Sequence, residues 1–227
     1  MFSGAMAGNF RVVSTCLVMA ALLATPFVKA QEQERSQLRL QAMALEQKGR
    51  NSDAEEIWAA LAKTDERDAE ALAHLGLLAA RQEHYIDAID FYRRALAINS
   101  GLPGLQMNLG LALFKVGQFP DAIKCFTSEI EKHPGDPRLT ILLGMAHFGM
   151  KDYLVAIPYL QRATERDPQN LALYTTLAQS CLWSKQYQCV VKVKQRLQAL
   201  KKESAEVDAL ANEALDQMQR EHGDRQN

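Results

Sequence analysis

The sequence predicts an all-α protein organised as a solenoid of stacked antiparallel helix pairs. The main observation is a pattern of small and large apolar residues that returns every 34 residues between positions 35 and 204. The composition agrees, because only 12 Gly and 7 Pro interrupt 227 residues that are rich in Ala, Leu, Gln, Glu, Lys and Arg. The formal net charge of -1 gives no overall preference for nucleic acid or for an anionic membrane surface.

Residues 1–30 have the features of an export signal. Arg11 provides a positive start, the run 12–27 is uncharged and mostly apolar, and small residues precede the predicted cleavage site before Gln31. This run is shorter than the roughly 20 residues that a membrane-spanning helix needs. We therefore expect a cleaved signal, a periplasmic or secreted protein, and no stable membrane span after cleavage. An uncleaved signal anchor is the alternative.

Five repeat units follow a short lead-in over 31–34. The triplet Leu75-Gly76-Leu77 returns as Leu109-Gly110-Leu111 and again as Leu143-Gly144-Met145, each time followed by an aromatic residue and an alanine. The first and last units match in fewer places, as expected where a stack of repeats ends. The predicted units are 35–68, 69–102, 103–136, 137–170 and 171–204.

Each unit is predicted to fold as two helices that touch at small residues. A bulky residue lies four positions after the second small residue, on the same face of its helix. The small residues of the first helices are Ala42, Gly76, Gly110, Gly144 and Ala178, and those of the second helices are Ala54, Ala88, Ala122, Ala156 and Val190.

The final segment, 205–227, predicts a capping helix with a frayed polar tail from Glu221. The apolar residues of the helix recur at spacings of three and four and form one stripe. We expect this stripe to cover the open end of the stack; the alternative is a helix that folds back into the groove of the solenoid. The stripe consists of Val207, Leu210, Ala211, Ala214, Leu215 and Met218.

The repeat pattern resembles the tetratricopeptide repeat, a helix–turn–helix unit of 34 residues, over residues 35–204. The resemblance implies a right-handed α-solenoid whose first helices line a concave surface. Glu129 and Lys194 depart from the family pattern, because they stand where the family has a small and a large apolar residue. We therefore expect the packing of the third and fifth units to differ from that of the others.

Family members that grip a C-terminal carboxylate use a clamp of lysine and asparagine side chains on successive first helices. Of the matching positions in this sequence, only Asn108 carries the family residue, so we expect no such clamp. The other matching positions carry Arg39, Met43, Ala73 and Leu77.

The sequence carries no motif for catalysis, cofactor binding or metal binding. The five histidines lack HExxH or paired spacing, and no GxSxG elbow or phosphate-binding glycine loop is present. We therefore predict a protein that is not an enzyme, with no cofactor and no bound metal. His147 lies on a first-helix face where apolar groups are usual, and we interpret it as a packed imidazole.

Three cysteines remain after removal of the predicted signal. Cys181 ends one predicted helix and Cys189 begins its antiparallel partner, so an oxidising compartment would allow a bond across the turn. Free cysteines commonly pack as small buried apolar groups, so we favour two free thiols over the bond. Cys125 has no predicted partner.

The concave surface is predicted to carry an apolar groove with a polar rim. One row is Met43, Leu77, Leu111 and Met145; the next is Phe114, Phe148 and Leu182, extended by Met107 and Ile141; the rim is His74, Arg81, Asn108, Lys115, Arg138 and Gln179. These apolar residues could equally belong to the core between repeats.

Together these features predict a non-catalytic interaction module or scaffold outside the cytoplasm. Its groove would bind a protein, as a peptide or an amphipathic segment, with Phe114 and Phe148 as central anchors and a basic rim that favours acidic groups. Two alternatives stay open: a self-associating, homo-oligomeric repeat protein, and an accessory subunit of an envelope enzyme or assembly complex. No nucleic-acid partner is expected.

Overall fold

The computed structural model describes residues 29–224, which form eleven α-helices and no β-strand. The helices are α1 over 29–47, α2 Asn51–Thr64, α3 Ala69–Arg81, α4 Tyr85–Ile98, α5 Leu105–Lys115, α6 Phe119–Lys132, α7 Pro137–Gly149, α8 Tyr153–Arg166, α9 Leu171–Trp183, α10 Tyr187–Ala199 and α11 Ala205–Asp224. The odd-numbered helices from α1 to α9 are the first helices of the five units, and the even-numbered helices from α2 to α10 are the second helices.

The predicted ends of the chain differ in detail from the observed helices. The signal of residues 1–30 lies outside the described residues except for its last two, which belong to α1. The lead-in over 31–34 is not a separate segment, because it is part of α1. The tail from Glu221 is helical as far as Asp224.

The turn between the two helices of each unit has a left-handed backbone conformation at the same position. Positive φ angles of 60–76° occur at one position per unit, 34 residues apart. The amide of the following residue donates to a carbonyl five positions earlier, at 2.7–2.9 Å, which closes the first helix and sends the chain back antiparallel. The left-handed residues are Gly49, Glu83, Gly117, Lys151 and Lys185.

The two helices of a unit touch at the predicted small residues. A Cβ placed on Gly76 would lie 2.6 Å from Tyr92 Cε1, and one on Gly110 would lie 2.6 Å from Phe126 Cε1. Such distances are shorter than real Cβ contacts, so the bulky ring of the second helix occupies the space that only glycine leaves open. The register predicted from the 34-residue repeat is therefore confirmed at the level of atoms.

The two departures from the repeat pattern are accommodated at the surface of the core. Glu129 is buried, and Lys132 Nζ donates to its Oε1 at 3.2 Å. Lys194 reaches out of the fifth unit to Asp208 on α11, at 3.0 Å between Nζ and Oδ1. In the fifth unit, Lys194 therefore replaces the bulky apolar residue of the family pattern and forms an ion pair with the capping helix.

The C-terminal helix α11 continues the stack. It packs against α9 and α10, as a first helix of a sixth unit would. Val207, Ala211 and Ala214 are buried in this contact and cover the open end, whereas Leu215, which was predicted to share their stripe, is 44 % exposed. The alternative in which α11 fills the concave groove is not what the structure adopts.

The favoured expectation of two free thiols at Cys181 and Cys189 is wrong, because the two residues are bonded. Cys181 Sγ and Cys189 Sγ form a disulfide across the turn between α9 and α10, with Cα atoms 5.7 Å apart. Cys125 is a free, buried thiol, and burial raises its pKa.

Candidate functional site

The predicted apolar groove is largely the inner edge of the core between repeats. Of its nine apolar residues, only Leu111 is exposed, at 36 %, whereas Leu182 is buried. The other seven are half-buried on the first helices. Those that pack directly against the buried clusters are Met43, Met107, Phe114, Ile141, Met145 and Phe148. Most of the nine residues therefore belong to the core between repeats and do not form an open groove.

Two clefts between successive units meet at Asn108 of α5. One cleft of about 730 Å³ lies between the third and fourth units, and a second of about 270 Å³ lies between the second and third. Asn108 lines both, and we call the combined space the Asn108 cleft. Its lining includes Ala73, His74 and Leu77 of α3, Leu102 and Pro103, Met107 of α5, Glu129 and His133, and Arg138 and Leu139 of α7.

Charges around the Asn108 cleft are largely compensated. Arg138 is bound to its neighbour Asp136, with Nη2 2.7 Å from Oδ2, and this hydrogen bond holds the pKa of Asp136 below its ordinary value. Glu129 is engaged by Lys132 in the same way. Arg138 is thus an internally paired residue, and the cleft does not have the strong basic character that the rim residues suggested.

A polar cluster that sequence reasoning missed joins the first two units. Glu46 is nearly buried, and its Oε1 accepts from Trp58 Nε1 at 2.8 Å and lies 2.7 Å from His74 Nδ1. The indole and imidazole rings also stack, with centroids 4.2 Å apart. Arg81 Nη1 lies 3.5 Å from Glu46 Oε2, so His74 and Arg81 serve the structure of the stack. Comparison of repeats could have found Glu46, which stands where later units have Phe114, Phe148 and Leu182.

The predicted anchors Phe114 and Phe148 lie away from the Asn108 cleft, at the C-terminal ends of their helices. There they meet three further rings, and we call the set Phe114, Phe119, Phe148, Tyr153 and Trp183 the aromatic edge. Ring centroids are 5.4 Å apart for Phe114 and Phe119 and 5.0 Å apart for Tyr153 and Trp183. The ring of Phe148 contacts both Tyr153 and Trp183, with centroid distances of 5.7 Å and 5.6 Å.

The two halves of the aromatic edge are connected through Gly149. A Cβ on this glycine would lie 2.5 Å from Phe119 Cζ, so the Phe119 ring rests on the end of α7. In the sequence, Phe119 and Tyr153 served only as markers of the repeat, and nothing singled out Trp183, which stands where other units have Arg81, Lys115 and Gly149.

His147 is packed as predicted. Its ring stacks on Tyr159 with centroids 5.7 Å apart, and its Nδ1 lies 3.4 Å from Asp152 Oδ2. Across residues 29–224, no group of three or more His, Cys, Asp or Glu side chains is arranged to hold a metal ion. In the same range, no helix combines the length and apolar character required to cross a bilayer.

Several solved structures share this fold. YrrB, described as a TPR protein with an unusual peptide-binding site, superposes with a TM-score of 0.67 at 18% identity, covering 79% of this chain and 90% of YrrB. MamA from Desulfovibrio magneticus RS-1 gives a TM-score of 0.61 at 20% identity, over 73% of this chain and 96% of MamA. A tetratricopeptide repeat protein from Parabacteroides merdae gives 0.63 at 15% identity, over 82% and 74%. These identities relate the folds alone, and no curated protein sequence matches significantly.

The sequence itself matches a family model. The tetratricopeptide repeat model matches residues 39–103 and 107–170, which together make up more than half of the chain. These segments contain the close contacts at Gly76, Gly110 and Gly144 and the helix pairs α3–α4, α5–α6 and α7–α8. The chain therefore belongs to the tetratricopeptide repeat family.

Proposed function

We propose that this protein is a non-catalytic interaction scaffold outside the cytoplasm and that it binds a peptide segment of a partner protein in the Asn108 cleft. The observation that carries the proposal is the position of one carboxamide between two adjoining clefts on successive units. Repeats of this family typically serve as protein-interaction scaffolds.

The chemistry of the cleft suits an extended peptide. A carboxamide can accept from one backbone N–H and donate to one backbone C=O, which holds a peptide without requiring a particular side chain. Leu77 and Met107 provide apolar surface on the two sides of Asn108. Because the charged residues around the cleft are paired, we expect a ligand with little net charge in the bound segment, in place of a strongly acidic one.

Two observations support a location outside the cytoplasm. Residues 1–30 have the charge, apolar run and small-residue end of an export signal. The disulfide between Cys181 and Cys189 is of a kind that persists in oxidising compartments and is rare in the cytosol. Mass mapping of the N-terminus in the native host is expected to find Gln31 as the first residue, and a soluble form that retains Met1 would contradict export with cleavage.

The binding site is tested with peptides selected from a phage-displayed library on residues 31–227. We expect Asn108→Ala to weaken the selected peptides about tenfold, because one peptide hydrogen-bond pair is lost. Leu77→Asp should abolish binding, because it places a charge against the apolar wall.

Asn212→Ala is the matched control, since Asn212 is exposed on α11 and lies outside the cleft. Circular dichroism establishes that each variant is folded. Equal affinities for wild type and Asn108→Ala would show that the cleft is not the binding site. Size-exclusion chromatography with light scattering separates this function from self-association. We expect the protein to be a monomer.

A further inference from the structure

The aromatic edge, whose other members are half-buried, has the exposed Trp183 at its end and adjoins further exposed apolar side chains at the turn of the fourth unit. Trp183 is 50 % exposed and Leu154, in the first turn of α8, is 58 % exposed. Met150 and Val155 are exposed beside them. Large apolar side chains gathered at one edge mark a contact surface, in contrast to single exposed residues elsewhere.

Basic side chains accompany these residues along the same edge. Lys115 ends α5, and Lys151 and Lys185 occupy the left-handed positions of the next two turns, so all three stand at the rim of the stack. None of them forms an ion pair with another described residue. Of the acids at these helix starts, Asp121 is paired with Lys124 and Asp152 lies beside His147, and Glu165 lines a cleft together with Lys185.

The last turn of the aromatic edge is held by a covalent bond. The disulfide between Cys181 and Cys189 encloses the segment that carries Trp183 and Lys185. A closed turn has less conformational freedom to lose when its side chains bind. The indole and the lysine are therefore presented together before any contact forms.

We propose that the aromatic edge docks on a membrane surface that contains anionic lipid. Trp, Tyr, Phe, Leu and Met side chains suit the boundary between head groups and acyl chains, and lysines beside them attract anionic head groups. This function is additional to peptide binding in the Asn108 cleft and does not depend on it. The net charge of -1 for the whole chain conceals this local basic character.

The shape and charge of the edge favour a membrane over the other occupants. The exposed residues stand at helix ends beside the intra-unit turns and line neither the Asn108 cleft nor the cleft beside Lys185, which suits a broad surface, whereas a peptide needs a cleft to bury its side chains. A second copy of the same edge would bring three lysines against three lysines, which disfavours self-association there. The expected mode is shallow insertion by an edge, without a span.

The two tryptophans make the proposal directly measurable. Trp58 is fully buried, so only the emission of Trp183 responds to an external contact. Vesicles of equimolar phosphatidylcholine and phosphatidylglycerol should bind the mature chain in cosedimentation and shift its emission to shorter wavelength. The Trp183→Phe variant should lose the shift. Binding of equal strength to phosphatidylcholine vesicles would overturn the electrostatic part of the proposal.

Matched variants separate the edge from general effects of hydrophobicity and charge. Leu154→Ser should weaken vesicle binding severalfold, whereas Leu215→Ser, which removes a 44 % exposed leucine from α11, should not. Lys151→Glu with Lys185→Glu should weaken binding tenfold or more, at roughly fivefold per lysine removed. Lys63→Glu with Lys201→Glu makes the same change in net charge at exposed positions at the opposite ends of their helices and should have little effect.

Two results would overturn the proposal. One is an equal loss of binding in the edge variants and their controls, which would mean that only net charge or exposed apolar area matters. The other is the absence of both cosedimentation and an emission shift with anionic vesicles, which would leave a protein partner as the occupant of the edge.

Discussion

At the scale of single residues, one turn position has a left-handed backbone in every unit but carries different residue types. The backbone at this position has the same conformation in all five units, yet glycine is present in only two of them. A non-glycine residue in this region has an unfavourable contact between its Cβ and the backbone. The three units with Glu83, Lys151 or Lys185 therefore fold with a local conformational penalty that Gly49 and Gly117 avoid.

Exchanging residues at this position should change stability in opposite directions. Gly117 has φ 76° and nothing within 4 Å of an added Cβ, so Gly117→Ala should destabilise by about 1 kcal/mol for conformational reasons alone. Lys151→Gly should stabilise by about 0.5–1 kcal/mol. Urea unfolding of both variants checks the prediction. Changes of the same sign would mean that side-chain contacts, and not φ, decide the effect.

Tyr92 gives a second prediction at this scale, which concerns alkaline pH. Burial raises its pKa from 10.0 to about 12. Because the folded state holds the proton more tightly than the unfolded state, the stabilisation is complete below pH 10 and is lost as the pH rises toward 12. The difference in pKa between the unfolded and folded states corresponds to about 3 kcal/mol of the free energy of unfolding.

Tyr92→Phe should not show this loss, because it has no proton to release. The measurement is the free energy of unfolding of wild type and variant from neutral pH to the alkaline range, where other groups titrate equally in both proteins. Parallel curves for the two proteins would contradict the burial of an uncharged phenol.

At the scale of helices, the distance between the two helices of each central unit is set by one glycine of the first helix and the side chain of the second helix that packs on it. A Cβ on Gly110 would lie 2.6 Å from Phe126 Cε1 and 3.0 Å from Cys125 Cβ, whereas the nearest atom to a Cβ on Gly144 is 3.1 Å away on Leu160. The rigid Phe126 ring at 2.6 Å cannot move aside. Around Gly144, in contrast, the flexible Leu160 side chain at 3.1 Å and Tyr159 Cβ at 3.2 Å require a shift of only a few tenths of an ångström. The third unit is therefore less tolerant of a larger residue than the fourth.

We predict that Gly110→Ala destabilises by about 1–3 kcal/mol and Gly110→Leu by more. Gly144→Ala should be close to neutral, because the gain in helix propensity offsets a small adjustment of Leu160. Glu131→Gln, at an exposed position of α6, should change stability by less than about 0.5 kcal/mol. Similar urea midpoints for Gly110→Ala and Gly144→Ala would contradict the difference in packing.

The contacts within a helix pair follow from the sequence, whereas the contacts between units at the aromatic edge do not. The fold was predictable because the contact between Gly110 and Phe126 belongs to a pattern that recurs at a fixed interval and fixed helix faces. The site was less predictable because exposure depends on neighbours in space. Phe148 contacts Trp183 of the next unit, and Trp183 falls at a position where no other unit has an aromatic residue. Arg138 similarly looked available until its contact with Asp136 was seen.

At the scale of the whole molecule, each helix packs mainly on its neighbours in sequence. Contacts join α9 to α10 and both to α11, while the N-terminal units form separate buried clusters. In such an array, stability is close to a sum of unit terms and nearest-neighbour terms. Two separate surfaces can therefore be carried on one scaffold: the Asn108 cleft in the middle and the aromatic edge toward the C-terminus.

Removal of α11 tests this arrangement. A chain that ends at Lys202 loses the cover that Val207, Ala211 and Ala214 provide and the ion pair between Lys194 and Asp208. We expect hydrogen exchange in α9 and α10 to accelerate strongly, because their apolar faces become an open end, whereas exchange in α3 and α4 should change little. A chain that ends at Arg220 is the control, since it keeps the buried residues of α11. Uniform acceleration in all helices would mean that the stack unfolds as a single cooperative unit, and the aromatic edge would then share its stability with the Asn108 cleft.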